Sequence, residues 1–228
     1  MKEIKAVWQR DEIRIADDLL SYVPKLREEF LAYHTDFIDG DFALGVPINI
    51  PTLNSPSQLT SKTYAWKMGP LKYLWPQAGI QEDYYLNKDV AERFPTACEI
   101  VKKYNNNCAC VGYSILEKNS VIVRHTGIEN RDNEYLRIHV PIIVPEGDIF
   151  FEVEGVELDW SDIWGFDNQL IHSAHNLSNN RRLVLLIDIR RDFLGIPNGE
   201  PFDPKRELSI PPFVRGAKPK ILHSHQKN

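Results

Sequence analysis

The chain has 228 residues but only three cysteines and two methionines. The cysteines, Cys98, Cys108 and Cys110, are odd in number, and the last two lie two positions apart. That is not a disulfide framework, so a reducing compartment, the cytoplasm, is the expected setting. Long hydrophobic runs are also missing. No stretch approaches the roughly 18 consecutive apolar residues of a spanning helix, so no membrane role is expected. The opening MKEIKAVWQRDEIRIADD is too polar for a signal peptide. Positive charge is not in excess: 27 Lys and Arg against 32 Asp and Glu leave a net charge of −5. No broad basic face is implied, so nucleic acid is not an expected partner. Internal repeats and low-complexity tracts are absent. What is present, 43% hydrophobic and 26% charged residues, suits a soluble domain with a sizeable core.

The first third reads as helix and loop. Pro24–His34 carries Leu26, Phe30 and Leu31 at helical spacing, with Pro24 in the first turn, where its missing N–H costs nothing. Asp39–Ser61 holds three prolines among Ser, Thr and Asn and reads as loop. Asp89–Tyr104 contains a second helix, with Pro95 in its first turn and Ala97, Ile100, Val101 and Tyr104 as its apolar stripe. From Ala109 the pattern changes to short β runs: ACVGYSILE, SVIVRH, EYLRIHVPIIV, DIFFEVE, VELDW, DIWGFD and RLVLLIDI. Brief turns such as EKNS, GIENRDN, PEGD and SNNR separate them, which predicts a sandwich or barrel. The helices precede the strands and are expected to buttress one sheet face. A helical and loop region over 1–108 and a β core over 109–195 then make one domain. A tail over 196–228, rich in proline and lysine, is expected to wrap the surface or lack order.

Four of the seven histidines, His125, His139, His172 and His175, fall in the β region. His125 ends the run SVIVRH. Two residues later stands Gly127, where many non-haem iron sites carry the aspartate or glutamate that completes a two-histidine, one-carboxylate triad. His172 is read as ending a second β run. Two neutral imidazoles from separate strands can meet in the mouth of a jelly roll and hold Fe, Zn or Cu; both could equally cap strand ends. Arg137 and His139 lie two apart and so share a strand face, while Leu136, Ile138 and Val140 face the other way. That strand continues into PIIV, so the Arg and His are read as inward-facing. Arg182 opens the most apolar run in the chain. A buried guanidinium requires a carboxylate, and one small acid gripped by Arg182, with Arg137, would satisfy both.

The ordered set YS, HTGIEN, LRIHVPI, W…FDNQLIHSAHN and RLVLLIDIRR, over Ser114 to Arg190, resembles the aspartyl/asparaginyl β-hydroxylase family of Fe(II)- and 2-oxoglutarate-dependent oxygenases. Ser114 stands eleven residues before His125 and Arg182 ten after His172, spacings that agree with the family. The likeness covers about eighty residues, with weaker traces at YAWKM and RFPT. It implies a double-stranded β-helix, a cupin-like jelly roll. It implies that His125 and His172 are the iron ligands and that water completes the site beside Gly127. Arg182 would hold the distal carboxylate of the cosubstrate 2-oxoglutarate, with Ser114, Arg137 and His139 as further partners.

The implied reaction consumes O2, converts 2-oxoglutarate to succinate and CO2, and hydroxylates an unactivated C–H bond of an amino acid, a peptide or a related small molecule. Asp167 is a candidate for orienting a histidine or water, or a simple turn residue; His175 is expected to be structural. Two departures stand out. Against the family's pattern three extra residues are read between Asn130 and Arg137, and Tyr135 occupies a place where members acting on aspartyl residues carry arginine. Two other readings remain open at this stage. A halogenase could seat chloride in the place of the carboxylate, and a non-enzymatic jelly roll could simply bind an acid or a metal.

Overall fold

Alternation of side chains along three long strands decides the architecture. In a computed structural model, residues 5–33, 65–74, 81–127, 130 and 132–201 are described, with the backbone alone of 40–42, 45–47, 75 and 80. The elements run β1 (Val7–Trp8), α1 (Ala16–Ser21), α2 (Val23–Tyr33), β2 (Gly40–Phe42), β3 (Gly45–Pro47), β4 (Trp66–Trp75) and β5 (Ile80–Glu82). Next come α3 (Lys88–Arg93), α4 (Pro95–Tyr104), β6 (Cys108–Leu116), β7 (Ser120–His125), β8 (Tyr135–Ile143) and β9 (Ile149–Val153). The chain then forms β10 (Val156–Glu157), β11 (Trp164–Phe166), β12 (His172–Asn176), β13 (Arg182–Arg190) and α5 (Arg191–Leu194).

The last eight strands pair in a nested order. β6 pairs β13, β7 pairs β12, β8 pairs β11 and β9 pairs β10, all antiparallel. That nesting is a long hairpin rolled on itself, the double-stranded β-helix. The larger sheet runs β1-β11-β8-β13-β6-β4-β2 and the smaller β10-β9-β12-β7-β3.

Parity then sorts the side chains. Val111, Tyr113 and Ile115 of β6, Leu136, Ile138, Val140 and Ile142 of β8, and Leu183, Leu185, Ile187 and Ile189 of β13 form one buried cluster with the helices. The opposite faces of the same strands turn into the roll, where Leu116 and Val184 join Phe151, Trp160, Trp164 and Phe166. A sheet covered on both faces reads as continuous apolar sequence, which is why RLVLLIDI is the most apolar run. The helices therefore buttress the larger sheet as expected. Pro95 opens α4, and Ala97, Ile100, Val101 and Tyr104 are all buried. In α2, Leu26 and Phe30 are buried but Leu31 is exposed, so the apolar stripe of that helix is narrower than its sequence suggests.

Three differences from the sequence reading have local causes. Trp66–Trp75 is a ten-residue strand inside the region read as helix and loop. Gly69 and Pro70 interrupt its alternation, and the ladder absorbs Pro70 with a register shift between Pro70 and Lys72. VELDW is strand only at Val156–Glu157; Leu158 and Trp160 are buried from loop positions. His172 opens β12 rather than ending a run, because HSAHN has only Ala174 as an inward apolar residue and gives no strand signal. The expected loop at 39–61, apart from the backbone of β2 and β3, and the tail beyond residue 201 lie outside the described residues.

Candidate active site

β7 and β12 lie side by side in the smaller sheet, with His125 directly opposite His172 in register. The two rings stand 4.1 Å apart between centroids. Each ring is held in the same way. Nδ1 of His125 bonds the carbonyl of Val123 at 2.8 Å, and Nδ1 of His172 bonds the carbonyl of Leu170 at 2.8 Å. A carbonyl only accepts, so both Nδ1 atoms carry a proton, which leaves Nε2 of each neutral ring as the atom able to bind a metal. His172 is buried, and burial together with the charge of His125 holds its pKa well below the usual histidine range. It stays neutral at physiological pH, as a ligand must. Among the described residues, no group of three or more His, Cys, Asp and Glu side chains is placed to hold a metal, so the pair is the candidate centre.

Gly127 is closely packed. Its N–H donates to the carbonyl of Asn168 at 2.6 Å. A Cβ there would come within 2.6 Å of Asn168 Nδ2 and 2.9 Å of its carbonyl oxygen. A carboxylate at this position would require Asn168 to move, so glycine is dictated by contact as well as by any need for an open coordination position.

The histidines line one pocket between the sheets together with Trp66, Ser114, Arg137, His139, Arg182 and Leu186. Ser114, Arg137, His139 and Arg182 thus line one pocket, the last three on the inward faces that strand parity predicted. Their bonding differs. Arg182 is 1% exposed, and among the described residues its Nε and both Nη atoms have no hydrogen-bond partner. Its guanidinium lies over the Trp160 ring, Cζ 4.9 Å from the centroid. Burial pushes its pKa down to about 9, so it remains a cation at neutral pH. An uncompensated buried charge costs several kcal/mol, roughly, until an anion arrives.

Arg137 is different. Asp188 stands opposite it on β13 and takes a bidentate pair, Nε to Oδ1 at 2.8 Å and Nη2 to Oδ2 at 2.7 Å. The reading in which one small acid satisfies both arginines is therefore corrected for Arg137: the protein supplies its counterion. The sequence held the signal, since Asp188 shares a strand face with Arg182, but only the cross-strand register shows which arginine it meets.

His139 sits in an aromatic cage, 4.7 Å from Trp164, 5.3 Å from Phe151 and 5.2 Å from Phe166, and stacked at 15° on Trp160. Its Nδ1 is buried without a partner. Burial first, then the charges of Arg182 and Arg137, hold its pKa well below the ordinary value. Ser114 is buried on β6, and its Oγ accepts from Trp66 Nε1 at 3.0 Å. Trp66 also stands 5.7 Å from the His125 ring. It was not among the predicted site residues; its signal was the weak likeness at YAWKM.

Asp167 does not touch either histidine. It accepts from the N–H of Gln169 at 3.0 Å, as a turn aspartate does, and from Asn133 Nδ2 at 2.6 Å. Backbone carbonyls orient the histidines instead. His175 bonds Asp148 at 2.8 Å and stacks on Phe150, a structural arrangement as expected.

The family model for aspartyl/asparaginyl beta-hydroxylase matches residues 25–192. No curated protein is detectably similar in sequence. Among solved structures, a Trichoplax adhaerens prolyl hydroxylase in complex with a peptide of hypoxia inducible factor is 10% identical, with a TM-score of 0.42 over 90% of this chain and 86% of that one. A Pseudomonas putida prolyl-4-hydroxylase is 12% identical, with a TM-score of 0.40 over 75% and 86%. A Burkholderia pseudomallei oxidoreductase of the 2OG-Fe(II) oxygenase family is 10% identical, with a TM-score of 0.39 over 64% and 74%. These likenesses are distant, and the assignment rests on the family match, which spans most of the chain. The chain belongs to the aspartyl/asparaginyl beta-hydroxylase family and is a 2-oxoglutarate-dependent oxygenase of the hydroxylase class.

Proposed function

We propose that the protein hydroxylates an unactivated C–H bond of an amino acid, a peptide or a related small molecule, with Fe(II) held by His125 and His172 alone. The observation that carries this reading is the pairing, in one cavity, of two proton-fixed imidazoles with an unpartnered buried guanidinium at Arg182. Two neutral nitrogen donors suit iron. A cation that lacks an anion suits a dicarboxylate cosubstrate, which can meet the metal through one end and the guanidinium through the other. When bound, the iron and 2-oxoglutarate supply the oxidising chemistry, with O2 as oxidant and succinate and CO2 as co-products.

The chain's own groups do the rest. Arg182 binds the distal carboxylate bidentately. Ser114, oriented by the Trp66 indole, offers its hydroxyl to the same molecule. His139, kept neutral by its cage, offers Nδ1 as a hydrogen-bonding atom. Arg137 adds positive potential while tied to Asp188. The aromatic wall of Phe151, Trp160, Trp164 and Phe166 excludes water and strengthens each of these contacts. A setting in the cytoplasm fits the three free cysteines, all buried. Among the described residues no helix is long and apolar enough to cross a membrane.

The test is succinate formation from 2-oxoglutarate by the purified chain with Fe(II), screened over free amino acids and short peptides. Turnover should require iron and should vanish in His125→Ala and in His172→Ala. Undiminished turnover in both variants would remove the two-histidine site.

A further inference from the structure

The β7–β12 ladder ends at the histidines. His172↔His125 is its last pair, and a register shift separates it from the pairs beyond Ala174. Strand pairing therefore holds these two residues weakly on one side. Beyond them the chain is cross-tied by side chains instead. The first tie is the Gly127–Asn168 contact, with Asn130 Nδ2 donating to Asn168 Oδ1 at 3.3 Å.

The second tie is a buried polar cluster. Asn133 is 0% exposed and adopts a left-handed backbone, φ 49°. Its Nδ2 donates to Asp167 Oδ2 at 2.6 Å and to the Glu200 carbonyl at 2.8 Å, and its Oδ1 accepts from Arg191 Nη2 at 2.9 Å. Arg191 lies 3.4 Å from Asp167, and its Cζ lies 4.8 Å from the Trp8 ring centroid. Gly199 completes the cluster, its N–H donating to the Asn133 carbonyl at 3.2 Å. A Cβ at Gly199 would lie 2.0 Å from Asn133 Nδ2.

We propose that Asn133, clamped by Asp167, Arg191 and the strap around Gly199, is a positioning residue for the histidine pair. It joins the segment that leaves His125 to the segment that enters His172, and so sets the separation of the two ligating nitrogens. The proposal rests on the reading that these histidines hold the metal. Asn133 lies between Asn130 and Arg137, where the sequence departs from the family's pattern. A charged and amide cluster this deep has every member satisfied, so it holds one geometry rather than several.

The test is Co(II) affinity of the metal-free full chain by calorimetry. Asn133→Ala should weaken binding tenfold or more, the size usual for groups that orient metal ligands. Gly199→Ala, which presses on Asn133 from the strap, should weaken it severalfold even if Asn133→Ala fails to fold. Ile187→Val, a core change on the helix-facing side of β13, should leave affinity within twofold although it destabilises the fold. Wild-type affinity in folded Gly199→Ala and Asn133→Ala would overturn the proposal while leaving the metal site intact. Absence of Co(II) binding by the wild-type chain, or binding unaltered in His125→Ala, would overturn the metal site itself and this proposal with it.

Discussion

Two arginines face one cavity, and they are in opposite electrostatic states. Arg137 is locked to Asp188 across the β8–β13 ladder, its charge balanced and its bonds made. Arg182 is more deeply buried, yet among the described residues its guanidinium makes no hydrogen bond. Folding alone gives no reason to keep the second. A hydrophobic side chain of similar volume would be cheaper at that position. The contrast teaches that burial of charge is not by itself a functional sign; burial without a partner is. Stability explains the Arg137 end, whereas the Arg182 end makes sense only with an anion added.

The largest expected effect comes from making the two ends alike. Asp188→Ala takes the bidentate carboxylate away from a guanidinium that stays buried. The protein should lose about 3–5 kcal/mol of unfolding free energy, the usual result of breaking a buried pair by removing one partner. Urea titration of the two proteins measures it, and a loss within about 0.5 kcal/mol would mean that Arg137 is not held by this pair.

Acid sharpens the comparison next. His139 and His172, both buried in the same pocket, have folded pKa values below the ordinary histidine value. Their neutral forms are favoured in the fold, so the unfolded chain binds more protons below the unfolded value of about 6.5. Stability should therefore be flat above that pH and fall as pH drops through it. Each of the two groups contributes about 1.4 kcal/mol per pH unit in the steep region. Melting temperatures between pH 7.5 and 5 check the sign, and His139→Phe should reduce the slope.

The smallest effect concerns Trp66. Trp66→Phe removes the donor to Ser114 Oγ but keeps most of the ring. It should cost about 1 kcal/mol of cosubstrate binding, a fivefold rise in KM for 2-oxoglutarate, with little change in melting temperature. An unchanged KM would show that the Ser114 hydroxyl does not act on the cosubstrate.

How much of this was legible in the sequence follows from the range of each interaction. Period-two patterning is local, so β6, β7, β8 and β13 and the inward faces of Arg137, His139 and Arg182 could be read directly. β4 escaped because Gly69 and Pro70 break its pattern, and β12 because its inward residues are His172 and Ala174. The ordered family likeness supplied the site residues as a set. Partners 51 and 34 residues apart, Asp188 for Arg137 and Asp167 for Asn133, could not be read, because pairing across strands depends on register, and register depends on the whole roll.

The central claim is that Arg182 is kept unpaired for the cosubstrate. Its most direct test is binding of 2-oxoglutarate, by calorimetry with Co(II) present, to the wild type and to Arg182→Met, with unfolding free energies measured without cosubstrate. The account expects affinity to fall by a hundredfold or more while the cosubstrate-free variant becomes more stable, by about 1–4 kcal/mol, once the uncompensated charge is gone. Unchanged affinity, or a variant destabilised as if a satisfied ion pair had been broken, would contradict it.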